Sequence, residues 1–375
     1  MEQEIIEAAA PIQQDILESI FSFVPLIDLA PATHVSNEWK LAVSSSLLYI
    51  NTSKPWFFFH QQNIFSPNII SSQAYDTRSK LWMQIKQPTP PSNVSGTLHS
   101  SHSNLLYMLS PSKFTFSIDP FNLNWHHSNN APFACRHDSI IALVGGKIFV
   151  AGGGTNFYDD VIDPLAVEIY DMNTGLMESG ESMPGVFNAS AASTWLSVAT
   201  DGRVLYVMDK ESGLMHGFDS ESKRWSDPYE LCLVPNGFNS IITFTNGRLI
   251  VIQLIGERDN LTSLKIRSVN TETYEIEELG EMPKAMFGRL KEESFQISSI
   301  NACSAGNWIY LYNPSEIGDI YICEMLNGGC RWTLEKIPLE NGRSWRTVAV
   351  TCKEVGIDEV DEALRSGKWT CKPVR

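Results

Sequence analysis

The sequence predicts a mainly β protein, a closed ring of six repeated sheets (a β-propeller) that follows a short helical segment. Three observations lead to this prediction. Helical spacing of apolar residues is confined to the first fifty positions, and short apolar runs punctuated by turn residues begin at Lys54. These runs also recur with a regular period. A propeller can hold about 300 residues in one closed body, which suits this chain.

The helical segment is predicted to contain three short helices. The first places its apolar residues on one face, at Ile16, Leu17, Ile20, Phe21 and Val24. Pro25 should end it, because a proline ring clashes with the preceding turn. A second helix is predicted over Leu26 to Ala32, and a third after Ser36. Helices this short enclose little core, so their apolar faces need a partner.

The repeating unit has one apolar strand, a second strand that ends near Asp or Asn, a polar turn and a strand that carries Trp. The clearest copies run from Asp76 to Trp82, Asp119 to Trp125, Asp171 to Met177, Asp219 to Trp225, Asn270 to Tyr274 and Tyr321 to Trp332. Five intervals separate Trp82 from Trp332, a mean of about 50 residues. The count of units predicts six blades.

The two ends of the repeat region predict how the ring closes. The first unit lacks an inner strand, and a lone strand, Trp345 to Cys352, remains at the other end. Pairing this strand with the first unit would close the ring and remove an exposed edge. The predicted division is an N-terminal tail (1–11), a helical domain (12–50), a propeller (54–352, closed by strand 345–352) and a helical or loose C-terminal tail (353–375).

Composition narrows the choice of partners and compartment. The formal charge is −15 and the pI is near 5.0, so phosphate backbones and anionic lipids should be repelled, and neither nucleic acid nor a membrane surface is an expected partner. The seven scattered cysteines lack a Cys-x-x-Cys pair, which favours reduced thiols in the cytoplasm or nucleus. The acidic first ten residues precede no apolar signal core, and the most apolar stretch, Ile140 to Val150, is too short to span a bilayer.

Two segments were candidates for chemistry at a loop. Gly152 to Gly154 could suggest a phosphate loop, but such a loop must lead into a helix, and more strand is predicted to follow. Asp159, Asp160 and Asp163 could bind a cation, although an exposed acidic loop is the ordinary interpretation.

The histidines do not form a metal site in the sequence pattern. The adjacent His126 and His127 would point to opposite faces of a strand, and His99 and His102 lie in a serine-rich loop. No nucleophile motif such as Gly-x-Ser-x-Gly is present. The sequence therefore predicts no catalytic residue, no cofactor and no metal.

The helical segment resembles an F-box. The resemblance rests on Asp15-Ile16-Leu17, Ile20-Phe21-x-Phe23-Val24-Pro25, Asp28-Leu29, Val35-Ser36 and Trp39. Two positions depart from the family pattern, since Ile12-Gln13 replaces the opening Leu-Pro and Asn37 replaces the usual Lys.

An F-box implies docking onto the Skp adaptor of cullin–RING ubiquitin ligases. The implied contact is an apolar ridge that packs against the adaptor's helices, supported by two further residues. The ridge consists of Ile16, Leu17, Ile20, Val24, Pro25 and Leu29, with Val35 and Trp39 as the supporting residues. The alternative is that these residues only pack a helical cap onto the propeller.

The third repeat resembles a kelch unit. It contains Gly145 to Gly154 with its diglycines, then Val167 to Asp171, then Met183-Pro184. The other copies have mostly lost the diglycine, and Met177 and Tyr274 stand where two copies would carry Trp. A propeller of the WD type is the rival interpretation, but no unit ends in Trp-Asp.

Together the two resemblances identify the chain as a member of the plant kelch-repeat F-box family. They imply a non-catalytic substrate receptor of an SCF-type ligase, whose targets could include enzymes of phenylpropanoid or flavonoid metabolism. Targets are expected at one propeller face, through the connections Gly154 to Pro164, Gly256 to Thr262 and Pro283 to Ser294. The alternatives are a ubiquitin-independent binding scaffold and, less favoured, a propeller enzyme.

Overall fold

A computed structural model gives the fold of most of the chain. It describes residues 13–50, 54–86, 96–101, 103–110, 113–128, 136–155, 163–188, 194–231, 237–258, 260–293, 299–315, 317–339, 344–367 and 370–374. The expected N-terminal tail, Ile12, His102 and the acidic residues Asp159 and Asp160 lie outside these ranges. Among the described residues, no helix is long and apolar enough to cross a membrane.

Three helices form the N-terminal head. They are α1 (Gln14–Phe21), α2 (Leu26–Ala32) and α3 (Asn37–Ser45), and a single π-helical turn (Ser46–Ile50) follows. Their order agrees with the three predicted helices and α2 has the predicted bounds, but α1 ends at Phe21, before Val24 and Pro25. The Ser36 hydroxyl oxygen accepts the Trp39 backbone N–H at 3.2 Å, which satisfies one of the free amides at the start of α3.

Most of the remaining described residues form the six predicted blades, each an antiparallel sheet. From the inside outward, blade 1 consists of Trp345–Glu354, Pro55–Asn63, Ile70–Asp76, Leu81–Lys86 and Thr370–Pro373. Blade 2 consists of Leu98–Ser100, Leu106–Ser110, Lys113–Ser117 and His126–Ser128, and blade 3 of Ile140–Val144, Lys147–Ala151, Val167–Asp171 and Met177–Ser179.

The second half of the ring follows the same pattern with longer strands. Blade 4 consists of Leu196–Thr200, Val204–Asp209 and Leu214–Asp219 with the split outer strand Arg224–Trp225 and Tyr229–Glu230, and blade 5 of Gly237–Thr245, Arg248–Glu257, Asn260–Val269 and Ile276–Glu281. Blade 6 consists of Asn301–Ala305, Trp308–Tyr312, Asp319–Leu326 and Gly329–Lys336. A two-stranded ribbon, Arg136–His137 with Gly154–Thr155, lies beside blade 3.

The ring closes as predicted. The strand Trp345–Glu354 pairs antiparallel with Pro55–Asn63. At one end of the pair Asn63 lies opposite Trp345, and at the other end Pro55 lies opposite Glu354. Blade 1 therefore takes its inner strand from residues 345–354, and the inner side of Pro55–Asn63 is hydrogen-bonded to it.

The repeated Asp or Asn has a stereochemical cause. It lies at the end of the third strand, or one or two residues after it, in blades 1 to 5, at Asp76, Asp119, Asp171, Asp219 and Asn270. In blade 4 the Asp219 carboxylate accepts the backbone N–H of Glu221 at 3.0 Å and of Ser222 at 2.7 Å. Four positions after the Asp or Asn, the chain turns back through a residue with φ between +47° and +68°. A short acceptor side chain is therefore needed at this position to hold the turn.

The register corrects one prediction about the repeat. Tyr274 was assigned to the Trp position of blade 5, but it lies in the turn, with a φ of +58°. The equivalent position is Ile276, which pairs with Val269 as Trp82 pairs with Tyr75 and Trp225 with Phe218.

One connection predicted to be irregular contains a helix, and the C-terminal segment predicted to be helical or loose contains a helix and a strand. The connection Pro283 to Ser294 contains helix α4 (Lys284–Glu293). In the C-terminal segment, helix α5 (Ile357–Arg365) packs against α2, and Thr370–Pro373 adds a fifth strand to blade 1. The amphipathic spacing of α5 is present in the sequence, but its acidic composition hides it.

We predict that Asp219→Ala lowers the free energy of unfolding by about 1 kcal/mol, because two backbone amides lose their acceptor. Asp219→Asn should keep the turn, as Asn270 does in blade 5. Hydrogen bonds, first from the Ser222 amide, hold the pKa of Asp219 below its ordinary value of 3.8. The carboxylate therefore stabilises the fold above about pH 4, and this contribution is lost as the pH falls through the lowered pKa.

Urea unfolding at pH 7 and at pH 3 checks this prediction. The wild type should exceed Asp219→Asn in free energy of unfolding by less at pH 3 than at pH 7. Asp227→Asn, at an exposed position of the same blade, serves as the control. An equal advantage at both pH values would contradict the assigned role.

Candidate protein-binding surfaces

The head shares one hydrophobic core with the propeller and α5. From the head this core takes mainly Leu17, Phe21, Leu26, Leu29, Ala30, Ala42 and Val43; from blade 1 it takes Trp56, Phe58, Ala74, Met83 and Ile85; and from α5 it takes Val360 and Ala363. Phe21 meets Trp39 edge to face, with ring centroids 5.2 Å apart. The inner side of the head is therefore a cap on the propeller, as the alternative interpretation expected.

Helix α1 carries two apolar stripes that face different ways. Leu17 and Phe21, four residues apart, are only 5% and 4% exposed and lie in the shared core. Ile16 and Ile20, also four residues apart, are 51% and 47% exposed. Since residues four apart share one side of a helix, the second stripe remains open on the outside.

The eight residues predicted for adaptor binding fall into three groups. Ile16, Ile20 and Val35 are exposed, and Val24, Pro25 and Trp39 are half-buried. Leu17 and Leu29 are buried in the shared core, so they have no free surface for a partner in this structure. Val35 was expected to support the fold, but 61% of its surface is exposed.

Three exposed apolar residues of the head were not among the predicted ones. Phe23, Leu41 and Leu48 are 84%, 59% and 73% exposed. Phe23 belongs to the F-box pattern that the sequence shows. Leu41 directly precedes Ala42 and Val43, which face inward. An apolar residue next to an inward-facing pair in a helix must point elsewhere, and this spacing could have indicated that Leu41 is exposed.

Polar contacts also fix the head to blade 1. The Arg78 guanidinium, in the turn between two strands of blade 1, donates to the carbonyl oxygen of Phe21 at 2.6 Å. Phe21 is the last residue of α1, where unpaired carbonyls and the helix dipole favour a cation. Burial lowers the pKa of Arg78, and the neighbouring Asp76 carboxylate acts in the opposite direction.

Helix α5 is joined to the body by ion pairs. Lys353 donates to Asp119 of blade 2 at 3.1 Å and to Glu359 of α5 at 2.7 Å. Burial lowers the Lys353 pKa, but the two carboxylates outweigh it, so the pKa is raised overall. Asp361 of α5 lies 2.8 Å from His34, which follows α2. The C-terminal segment thereby holds the head from a second side.

Strand direction places the expected target loops away from the head. The turn containing Arg78 lies at the head end of blade 1, and the loop of residues 64–69 lies at the opposite end of the same strands. A seven-residue strand separates the two ends by about 20 Å. Gly154 follows the second strand of blade 3 and Gly256 lies near the end of the second strand of blade 5, both at the same end as loop 64–69, although residues 156–162 of the first connection lie outside the described ranges. Helix α4, which follows the outer strand of blade 5, lies at this end too.

The candidates for chemistry have structural partners. The His127 ring nitrogen Nδ1 lies 3.0 Å from the Thr115 hydroxyl, and His126 stacks on Phe116. Burial lowers the pKa of His60 to about 3, so this imidazole is neutral at physiological pH. Within the described ranges, no group of three His, Cys, Asp or Glu side chains could hold a metal ion.

Comparison with known proteins finds two consistent relationships. The F-box domain family matches residues 13–51. An F-box/kelch-repeat protein of Arabidopsis thaliana is 34% identical over 375 aligned residues, which cover 96% of this chain and 94% of that protein.

Solved structures give only distant likenesses, too low to bear on function. A chain of a nidogen/laminin complex matches with a TM-score of 0.42 and 11% identity, over 79% of this chain and 98% of that one. Apo AztD from Citrobacter koseri matches with a TM-score of 0.34 and 12% identity, over 80% and 98%.

We predict that Arg78→Ala loosens the head from the propeller, because α1 loses a charged hydrogen-bond donor at its last carbonyl. The expected loss is about 1.5–3 kcal/mol for a bond to a charged group. Hydrogen exchange should show faster exchange of the α1 amides and unchanged exchange in blades 3 to 5. The exposed Arg224→Ala is the matched control, and equal protection of α1 in both variants would argue against this contact.

Proposed function

Because the chain belongs to the plant F-box/kelch-repeat family, we propose that it is the substrate receptor of an SCF-type (Skp–cullin–F-box) ubiquitin ligase. The F-box head joined to a propeller in this chain, together with the F-box and kelch repeats named for its Arabidopsis thaliana relative, supports a substrate-adaptor role rather than an enzymatic one. The further step, assembly with the Skp adaptor and a cullin–RING ligase, rests on what F-box domains do in general.

The observation that carries the proposal is the two-sided head. A head that served only as a cap would need one apolar side, yet α1 keeps Ile16 and Ile20 about half exposed. Exposed apolar side chains close together mark a binding surface more often than chance. We assign adaptor docking to this outer stripe, with the half-buried Val24 and Pro25 beside it, and assign Leu17 and Leu29 to holding the head together.

The chain would contribute proximity and leave the chemistry to its partners. The conjugating enzyme recruited by the RING subunit would transfer ubiquitin, and the receptor would raise its effective concentration near a target lysine. Such a role needs a fixed distance between adaptor and target. The shared core, Arg78 and the ion pairs of α5 supply that rigidity, because they tie the head to blades 1 and 2.

Target binding is assigned to the propeller end that faces away from the head. The head occupies the Arg78 end of blade 1, whereas the long connections gather at the other end. Enzymes of phenylpropanoid or flavonoid metabolism are the target class that the family resemblance suggests. The formal charge of −15 supports protein targets over nucleic acid or membrane surfaces.

One observation favours a second candidate, a binding scaffold that acts without ubiquitin. The inner side of the head packs on blade 1 and α5, so the head would have a structural use even without an adaptor. The two functions differ in whether the outer stripe binds the Skp adaptor.

We predict that the double variant Ile16→Gln, Ile20→Gln binds the Skp adaptor about 30-fold more weakly than the wild type. Each half-exposed isoleucine would lose about 1 kcal/mol of apolar burial, and 1.4 kcal/mol corresponds to a tenfold change in affinity. Glutamine is a good helix former and both positions are exposed, so α1 should stay folded. Isothermal titration with the purified adaptor measures the difference.

Leu176→Gln provides the control, because Leu176 is 63% exposed but lies on the propeller. It should leave adaptor affinity unchanged. If the intact wild-type chain did not bind the adaptor, the scaffold function would take first place.

A further inference from the structure

An apolar loop projects from blade 1 at the end that faces away from the head. It joins the strands Pro55–Asn63 and Ile70–Asp76 and exposes 81% of Phe65, 47% of Ile64 and 50% of Ile69. Single exposed apolar residues are ordinary, but three within six residues form a local patch. Residues 64–69 contain no charged side chain, although the whole chain has a formal charge of −15.

The loop is held in one conformation at its start. The Asn63 side-chain oxygen accepts the backbone N–H of Phe65 and of Ser66, each at 2.9 Å. The Ile69 backbone N–H donates to the Ser66 carbonyl at 2.8 Å. Phe65 is therefore presented by a fixed backbone, which lowers the entropy that a partner's binding would cost.

A buried amide anchors the far side of the loop. Gln62 has no exposed surface, and its side-chain nitrogen donates to the carbonyl oxygens of Pro67 at 2.8 Å and Gly96 at 2.9 Å. Its side-chain oxygen accepts from the Leu98 backbone N–H at 3.2 Å and from Arg346 at 2.9 Å. The loop, blade 2 and the closing strand thus meet at this one side chain.

Arg346 supplies a positive charge beside the apolar loop. Its Nη2 donates to the Gln62 side chain and, at 2.8 Å, to the Thr97 hydroxyl, while the residue remains exposed. These two bonds fix the guanidinium plane. An oriented guanidinium with further N–H donors is suited to a carboxylate.

We propose that the loop 64–69 and Arg346 together form the docking site for a target segment that carries an apolar side chain next to an Asp or Glu. The apolar side chain would pack on Phe65, Ile64 and Ile69, and the carboxylate would pair with Arg346. This inference rests on the proposed function, because it names where and by what chemistry a target is recognised. Aromatic and arginine anchors on a rigid surface are typical of binding hot spots.

The test selects peptides from a random phage-displayed library on the full chain. Enriched peptides should combine an aromatic or aliphatic residue with Asp or Glu within a few positions. Phe65→Ser should weaken binding of synthetic copies at least tenfold, and Leu176→Ser, which removes an exposed residue at the head end of blade 3, should not. Phe65 is largely exposed, so its replacement should leave the fold intact, and thermal unfolding verifies this.

A charge reversal at Arg346 examines the second half of the site. Peptides selected on Arg346→Glu should carry Lys or Arg where those selected on the wild type carry Asp or Glu. Peptides selected on Arg346→Lys should still carry Asp or Glu. Arg224→Glu, at an exposed position of blade 4, is the control and should behave as the wild type. Three results would each overturn the proposal. The enriched peptides could bind Phe65→Ser as tightly as they bind the wild type, or Arg346→Glu could select the same acidic peptides as the wild type. The third result is that no peptides are enriched on the wild type.

Skp adaptor binding is measured on the same preparations, so that the two proposals fail separately. Loss of adaptor binding with intact peptide selection would remove the ligase role and keep this docking site. Adaptor binding without the predicted peptide preference would keep the ligase role and reject the site.

Discussion

The pairing of the last propeller strand with the first is the interaction on which the rest of the molecule depends. Because Pro55 pairs with Glu354, the chain leaves the head and enters α5 at the same end of blade 1. This brings α1, α2 and α5 onto one patch of the propeller built around Trp56 and Phe58. The head is too small to enclose a core, and the ring closure supplies the surface that completes it.

The elements that could be predicted from the sequence are those with a local cause. The Asp or Asn at or just after the end of the third strand in blades 1 to 5 can be recognised in the sequence because it holds a turn within the next four residues. The three head helices appear because their apolar spacing is short-range. Tyr274 was wrongly assigned to the Trp position of blade 5, because the turn and not the aromatic residue sets the register. Counting six residues from Asn270, as in blades 1 to 4, gives Ile276.

Residues whose roles depend on distant contacts could not be assigned in the same way. Leu17 and Ile16 are neighbours of similar character, and only the position of blade 1 decides that Leu17 turns inward. Gln62 is an ordinary polar residue in the sequence, yet it is fully buried and joins three segments of the ring. The acidic α5 hid its apolar side, Val360 and Ala363, because the partner of that side lies more than 300 residues away.

The closing strand also has a consequence for synthesis. Roughly 300 residues separate Pro55 from its partner Glu354, so blade 1 cannot be completed until the strand Trp345–Glu354 has left the ribosome. At about 5–20 residues per second, the nascent head waits on the order of 15 to 60 s with the inner side of Leu17 and Phe21 uncovered. During that interval the chain offers unfinished apolar surface to chaperones and to the degradation machinery. A polypeptide that stops before Trp345 would therefore lack the inner strand of blade 1 and α5, and its helical head would lack part of the core on which it packs.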